Sequence, residues 1–127
     1  MLSVTVGENI ISRKKTKKLS ELKIEGLTGI DASNLNKIEH AKVGVTLRTL
    51  RKVARALECT LYDLFTEPDG GHATVDRFVR KCIDISPELR EVYPDPLLIA
   101  WLFNSKLMDK YSIKDIEEIA NAPDEEE

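Results

Sequence analysis

Between Leu19 and Glu39 the chain has room for two short helices and a single break between them, and this stretch limits the possible folds more than any other. Leu19-Ser20-Glu21-Leu22-Lys23-Ile24 reads as a capped helix start, with the Ser20 hydroxyl placed to take a first-turn amide. Thr28-Gly29-Ile30 ends that helix, and Gly29 supplies the left-handed conformation that a tight turn between two helices needs. Asp31 is placed to cap a second helix running from Ala32 to Glu39. In it Leu35 and Ile38 point inward, which leaves Ser33, Asn34, Asn36 and Lys37 for the opposite face.

Helical spacing dominates elsewhere. Leu47, Leu50, Ala54 and Leu57 share one face, with Val53 beside them, while Arg48, Arg51, Lys52 and Arg55 lie off it and Thr46 stands at the N-cap. Thr60 is placed to cap a shorter helix carrying Leu61, Leu64 and Phe65. Val75, Phe78, Val79, Cys82 and Ile83 follow the i, i+3, i+4, i+7, i+8 pattern, with Thr74 as the expected cap. Ser112 with Asp115 resembles a capping box ahead of Ile113, Ile116 and Ile119. Ser3 to Val6 looks strand-like but is too short to count, so the expected fold class is all-α.

Glu67-Pro68-Asp69-Gly70-Gly71 is the clearest break in the pattern. The expected organisation is therefore a first domain over 1–66, a linker over 67–73, a small helical unit over 74–121 and an acidic tail over 122–127. Charge divides at the same place. The chain carries a formal net charge of −3, but residues 1–66 hold 12 Lys+Arg against 7 Asp+Glu, and residues 67–127 hold 7 against 15. A basic first part with an acidic second part points to different partners for the two.

Several classes drop out. The longest strongly apolar run, Leu97 to Phe103, is far shorter than the roughly 20 residues that span a bilayer. No apolar signal region follows a basic start, so the expected location is cytoplasmic, with no membrane partner. Cys59 and Cys82 do not form a close-spaced pair and are expected to be small buried apolar residues. His40 and His72 have no metal-ligand spacing around them and are expected at the surface. With no nucleophile–base pair, metal cluster or phosphate loop in view, neither an enzyme nor a cofactor is expected.

A short helix, a glycine turn and a second helix with small polar residues near its start is the helix-turn-helix arrangement, whose second helix enters a DNA major groove about 12 Å wide. Asn can pair with adenine edges, and Ser with donors or acceptors. Lys37, Lys42 and the cluster Arg13, Lys14, Lys15, Lys17 and Lys18 can neutralise phosphates.

Residues 7–65 resemble the DNA-binding domain of the phage repressor/Cro family, the XRE-type helix-turn-helix. The resemblance rests on Leu19-Ser20, Thr28-Gly29-Ile30, Leu35 with Ile38-Glu39, Lys42, Thr46-Leu47 with Leu50, Val53-Ala54-Arg55-Ala56-Leu57, and Asp63-Leu64-Phe65. It implies a five-helix repressor-like domain, followed here by the small helical unit. It implies double-stranded DNA as partner, with Ser20, Glu21, Asp31, Ala32, Ser33, Asn34, Asn36, Lys37, His40 and Lys42 at the contact surface and residues 32–39 as recognition helix. Three positions depart from the family pattern. Glu21 stands where Gln is usual, and a carboxylate there would repel phosphate. Glu25 stands where a small Ala is usual, so its carboxylate must swing outward or find a partner. Ala41 and Val45 replace a usual Gly and Pro, and Gly44 is expected to take over the permissive backbone role.

Domains of this type usually bind a two-fold operator as dimers. The apolar stretch Leu97 to Phe103 offers the expected interface, with Leu98, Trp101, Leu102 and Phe103 as the dimerisation residues. The leading expectation is a homodimeric, sequence-specific repressor. One alternative is an antitoxin whose C-terminal unit clamps a toxin, so that a protein partner (toxin or antirepressor) joins the DNA. Another is an interaction module that has kept the fold and lost DNA binding, motivated by Glu21 and Glu25.

Overall fold

The computed structural model describes residues 1–83, 109 and 111–123. Leu98, Trp101, Leu102 and Phe103, like the last four residues of the acidic tail and the side chains of Cys82 and Ile83, lie outside the described residues. Those described form seven helices and no strand: α1 Leu2–Lys17, α2 Glu21–Thr28, α3 Ala32–Glu39, α4 Leu47–Ala56, α5 Leu61–Leu64, α6 Ala73–Ile83 and α7 Ile113–Asn121.

Local capping explains most of the boundaries. Ser20, Asp31, Thr46 and Thr60 each accept a hydrogen bond from the backbone N–H three residues on, which satisfies one amide that the first turn leaves open. Thr60 with Asp63 and Ser112 with Asp115 form complete capping boxes. Gly29 (φ 78°) closes α2 in the left-handed region. Thr74 does not cap α6, because the helix begins at Ala73; the Thr74 amide instead donates to the Glu67 carboxylate at 3.0 Å.

The strand-like look of Ser3 to Val6 is overridden. Leu2, Val6 and Ile10 recur every fourth residue and are fully buried or nearly so, and that face draws the segment into α1. Gly7 sits on the same face. A Cβ built there falls 2.1 Å from the Glu39 carbonyl oxygen, so only glycine lets α1 pass this close to the end of α3. Gly7→Ala should therefore cost about 2 kcal/mol through forced separation of the two helices. Urea unfolding would show this as a lower midpoint at unchanged slope.

The loop after α3 differs from expectation. Ala41 (φ 56°), not Gly44, takes the left-handed conformation. A non-glycine residue is strained there, so Ala41→Gly should raise stability by about 1 kcal/mol in the same unfolding assay.

The break at 67–73 is a closed turn: the Gly70 amide donates to the Glu67 carbonyl, and the Glu67 amide to the Gly71 carbonyl. It separates sequence patterns rather than cores. Val75, Phe78 and Val79 of α6, and Ile113, Ile116 and Ala120 of α7, belong to the same buried cluster as Leu35, Leu50, Leu57 and Phe65. The Leu47 amide donates to the Tyr111 carbonyl and the Ile113 amide to the Val45 carbonyl, which sets the starts of α4 and α7 side by side. In the middle of α7, Glu117 accepts the Leu2 amide of α1. His72 is not a free surface group: it stacks on Tyr62 with ring centroids 3.8 Å apart and hydrogen-bonds the Thr66 hydroxyl.

Candidate nucleic-acid interface

α3 is an eight-residue helix with two different faces. Leu35, Ile38 and Glu39 are buried, and Ser33, Asn34, Asn36 and Lys37 are exposed. The exposed four fall within an arc of about 160° at 100° per residue, so a single surface could meet all of them. His40 follows at the C-cap, exposed, its Nδ1 2.9 Å from the Asn36 carbonyl oxygen. Lys42 is exposed one turn further, its amide donating to the Lys37 carbonyl.

At the leading end of α3, backbone amides meet carboxylates. Asp31 Oδ1 accepts from the Asn34 amide at 2.7 Å. Glu25 Oε2 reaches back across the turn and accepts from the Ala32 amide at 2.9 Å. The carboxylate at position 25 thus neither swings free nor wedges α2 from α3, but caps the next helix. Two negative groups at a helix N-terminus also suit the partial positive charge there. Ala32 is half-buried beside them.

The trailing end is held by an ion cluster. Lys14 Nζ lies 2.6 Å from Glu39 Oε2 and 3.3 Å from Glu21 Oε1, joining α1, α2 and α3. The Glu39 side chain is only 2% exposed and that of Lys14 15%. Desolvation pulls the Lys14 ammonium down, but the hydrogen bonds and charges of Glu39 and Glu21 outweigh it and hold its pKa above the ordinary lysine value. A raised folded-state pKa makes the cluster's contribution complete below the ordinary lysine range, and it fades only as pH climbs through and above that range. One cation thus serves two carboxylates, so the cluster keeps a net charge of −1, and Glu21, the more distant and more exposed of the two, is only partly compensated.

Two residues of the basic cluster are accordingly paired with carboxylates of the same chain, Lys14 in a largely buried cluster and Lys17 at the surface. Besides Lys14, Lys17 pairs with Glu58 at 2.6 Å, which lowers the Glu58 pKa. Lys37 and Lys42 form no ion pair among the described residues. Ser20 spends its hydroxyl oxygen on the Lys23 amide at 3.1 Å. Cys59 is half-buried, and burial pushes its thiol pKa up, which keeps it protonated and unreactive. Among the described residues no group of His, Cys, Asp and Glu could hold a metal, and no helix is long and apolar enough to cross a membrane.

Lys14, Gly7 and Glu25 escape a motif-based reading as supports of this face. Their signals are present nonetheless. Lys14 continues the every-fourth-residue series Leu2, Val6, Ile10, which aims its stem along the buried face. Gly7 is an isolated glycine in a helix interior, where it costs stability unless close packing requires it.

Searches of curated proteins and of solved structures give no match. Residues 8–69 match the family model of the Cro/C1-type helix-turn-helix DNA-binding domain. The matched span runs from the first helix, through the α2–turn–α3 unit, to the turn after α5. Residues 8–69 thus form a domain of the Cro/C1-type helix-turn-helix DNA-binding family.

Proposed function

We propose that the protein is a sequence-specific transcriptional repressor that binds a two-fold DNA operator as a homodimer, with α3 lying in the major groove. The observation that carries this reading is the split of α3. Its polar face of Ser33, Asn34, Asn36 and Lys37 is exposed, while Leu35, Ile38 and the Lys14-bound Glu39 fix the other face against the body of the domain. A reading helix has to present short hydrogen-bonding groups on a rigid support. In this proposal Ser33, Asn34 and Asn36 meet base edges. Lys37 and Lys42 meet phosphates, His40 and Ser20 sit at the rim, and the apolar stretch around Trp101 joins two copies.

Repression then follows from occupancy of a promoter. The test is a selection from randomised duplexes by the full chain at low salt. The expected product is an inverted repeat with half-sites about 34 Å apart. A single unrepeated site would contradict the homodimer. A pool with no enriched sequence would contradict DNA reading altogether and favour an interaction module.

A further inference from the structure

We infer that the outer face of α2, with the groove it forms against α4, docks an acidic amphipathic helix of a partner protein. The partner's apolar anchors lie on Leu22 and Leu27, and its carboxylates meet Lys52 and Arg55. The inference does not rest on the reading that α3 binds DNA.

Among the described residues the exposed large apolar side chains are Met1 and Val4 at the start of the chain, and Leu22 and Leu27 on α2. Leu22 is 76% exposed and Leu27 57%. A single exposed leucine needs no explanation, but these two share one helix face. Leu22, Gly26, Lys23 and Leu27, all exposed, fall within an arc of about 140° at 100° per residue. Gly26 lies between the leucines inside the helix, where glycine lowers stability relative to alanine. A Cβ built there meets nothing within 4 Å, so nothing within the described residues requires glycine at this position. Its bare backbone leaves a notch between Leu22 and Leu27 that admits the close approach of a second helix.

Charge decides what approaches. Leu27, Lys52, Arg55, Ala56 and Glu58 line a groove of about 260 Å³ between the end of α2 and α4. Arg48, Lys52 and Arg55 follow the i, i+4, i+7 spacing of one helix face, are exposed, and form no ion pair among the described residues. The carboxylate of the groove, Glu58, is already held by Lys17 at 2.6 Å. Lys23 adds another exposed cation beside Leu27. An apolar strip flanked by a row of unanswered cations is complementary to a helix with leucine-like anchors on one face and Asp or Glu beside them. Nucleic acid matches the cations but not the leucines, since a phosphate gains nothing from an apolar contact. Glu25, which meets α3, stands about 160° from Leu27 around α2, so the groove opens on the side turned from α3.

The experiment uses the full chain and a fluorescent, glutamate-rich helical peptide with leucines at i, i+4 and i+7, read by anisotropy at low salt. A peptide of the same composition with its leucines scattered around the helix is the control. The ordered peptide should bind at least about tenfold more tightly than the scattered one. Leu27→Ser and Lys52→Ser should each weaken it about tenfold, the size of a lost anchor. Lys15→Ser removes an exposed cation of α1 and should leave the affinity unchanged. Gly26→Gln fills the notch, so it should raise the urea midpoint yet weaken the peptide about tenfold. No binding of the ordered peptide, or equal affinity for the two peptides, would overturn the inference. So would equal losses in Lys52→Ser and Lys15→Ser, which would reduce the surface to general charge attraction, or an unchanged peptide affinity in Gly26→Gln. A Leu27→Ser variant that loses affinity for a mixed-sequence DNA duplex but not for the peptide would overturn it too, and assign the face to nucleic acid.

Discussion

Lys14→Met should destabilise the protein by about 3 kcal/mol, because it strands the Glu39 carboxylate in the interior without its cation. Ion pairs at the surface are worth far less, and the difference lies in burial: the Glu39 side chain has almost no access to water that could replace Lys14. Lys14→Arg should recover most of the loss, since a guanidinium can reach both carboxylates. The double variant Lys14→Met with Glu39→Met should also recover much of it, because replacing a whole buried pair by apolar groups is often neutral. Urea unfolding at neutral pH checks all three. A Lys14→Met midpoint equal to wild type would mean that the cluster does not hold α1, α2 and α3 together.

Lys37→Ala should weaken binding to the enriched duplex about tenfold and reduce the log–log salt slope by about 0.9, the signature of one lost phosphate contact. Stability should not change, because Lys37 is exposed and forms no ion pair among the described residues. A phosphate contact weakens binding uniformly across sequences, whereas a base contact relaxes preference at one position, so repeating the selection with the variant separates the two. Lys14→Arg should leave the slope unaltered, since that cation is committed to Glu39 and Glu21. A full slope in Lys37→Ala would remove Lys37 from the backbone contacts.

The parts of this structure that a linear reading captures are those decided within three or four residues. Asp31, Ser20, Thr46, Thr60 and Ser112 cap their helices, and Gly29 turns left-handed. The alternation of Leu35 and Ile38 with polar residues likewise sorts α3 into an inner and an outer face. What escapes is set by distant neighbours. Ser3 to Val6 favours no helix strongly by composition, and α1 forms there because Leu2, Val6 and Ile10 find a core. Lys14 reads as one more surface cation until the fold places Glu39, 25 positions further along the chain, beside it. Glu25 looks misplaced until the Ala32 amide meets it across the turn. The αL role goes to Ala41 despite the nearby Gly44, since the path of the loop fixes which residue must turn. His72 is drawn from the expected surface by Tyr62 and Thr66.

Charge follows the same division. A net of −3 argues weakly against a nucleic-acid partner, yet the basic residues gather in the part that carries α3. The structure refines that picture by sorting cations by occupation. Lys14, Lys17 and Arg51 are bound to Glu39, Glu58 and Asp109, whereas Lys37 on α3 and Lys42 in the loop after it are exposed and form no ion pair among the described residues.

Whether α3 reads DNA sequence is decided by the ratio of affinities for the enriched duplex and for a shuffled duplex of the same composition, measured with the full chain at one fixed salt concentration near physiological. A reading helix should give a preference of about 10³-fold or more for the enriched duplex. Equal affinity for the two would mean that α3 does not read sequence.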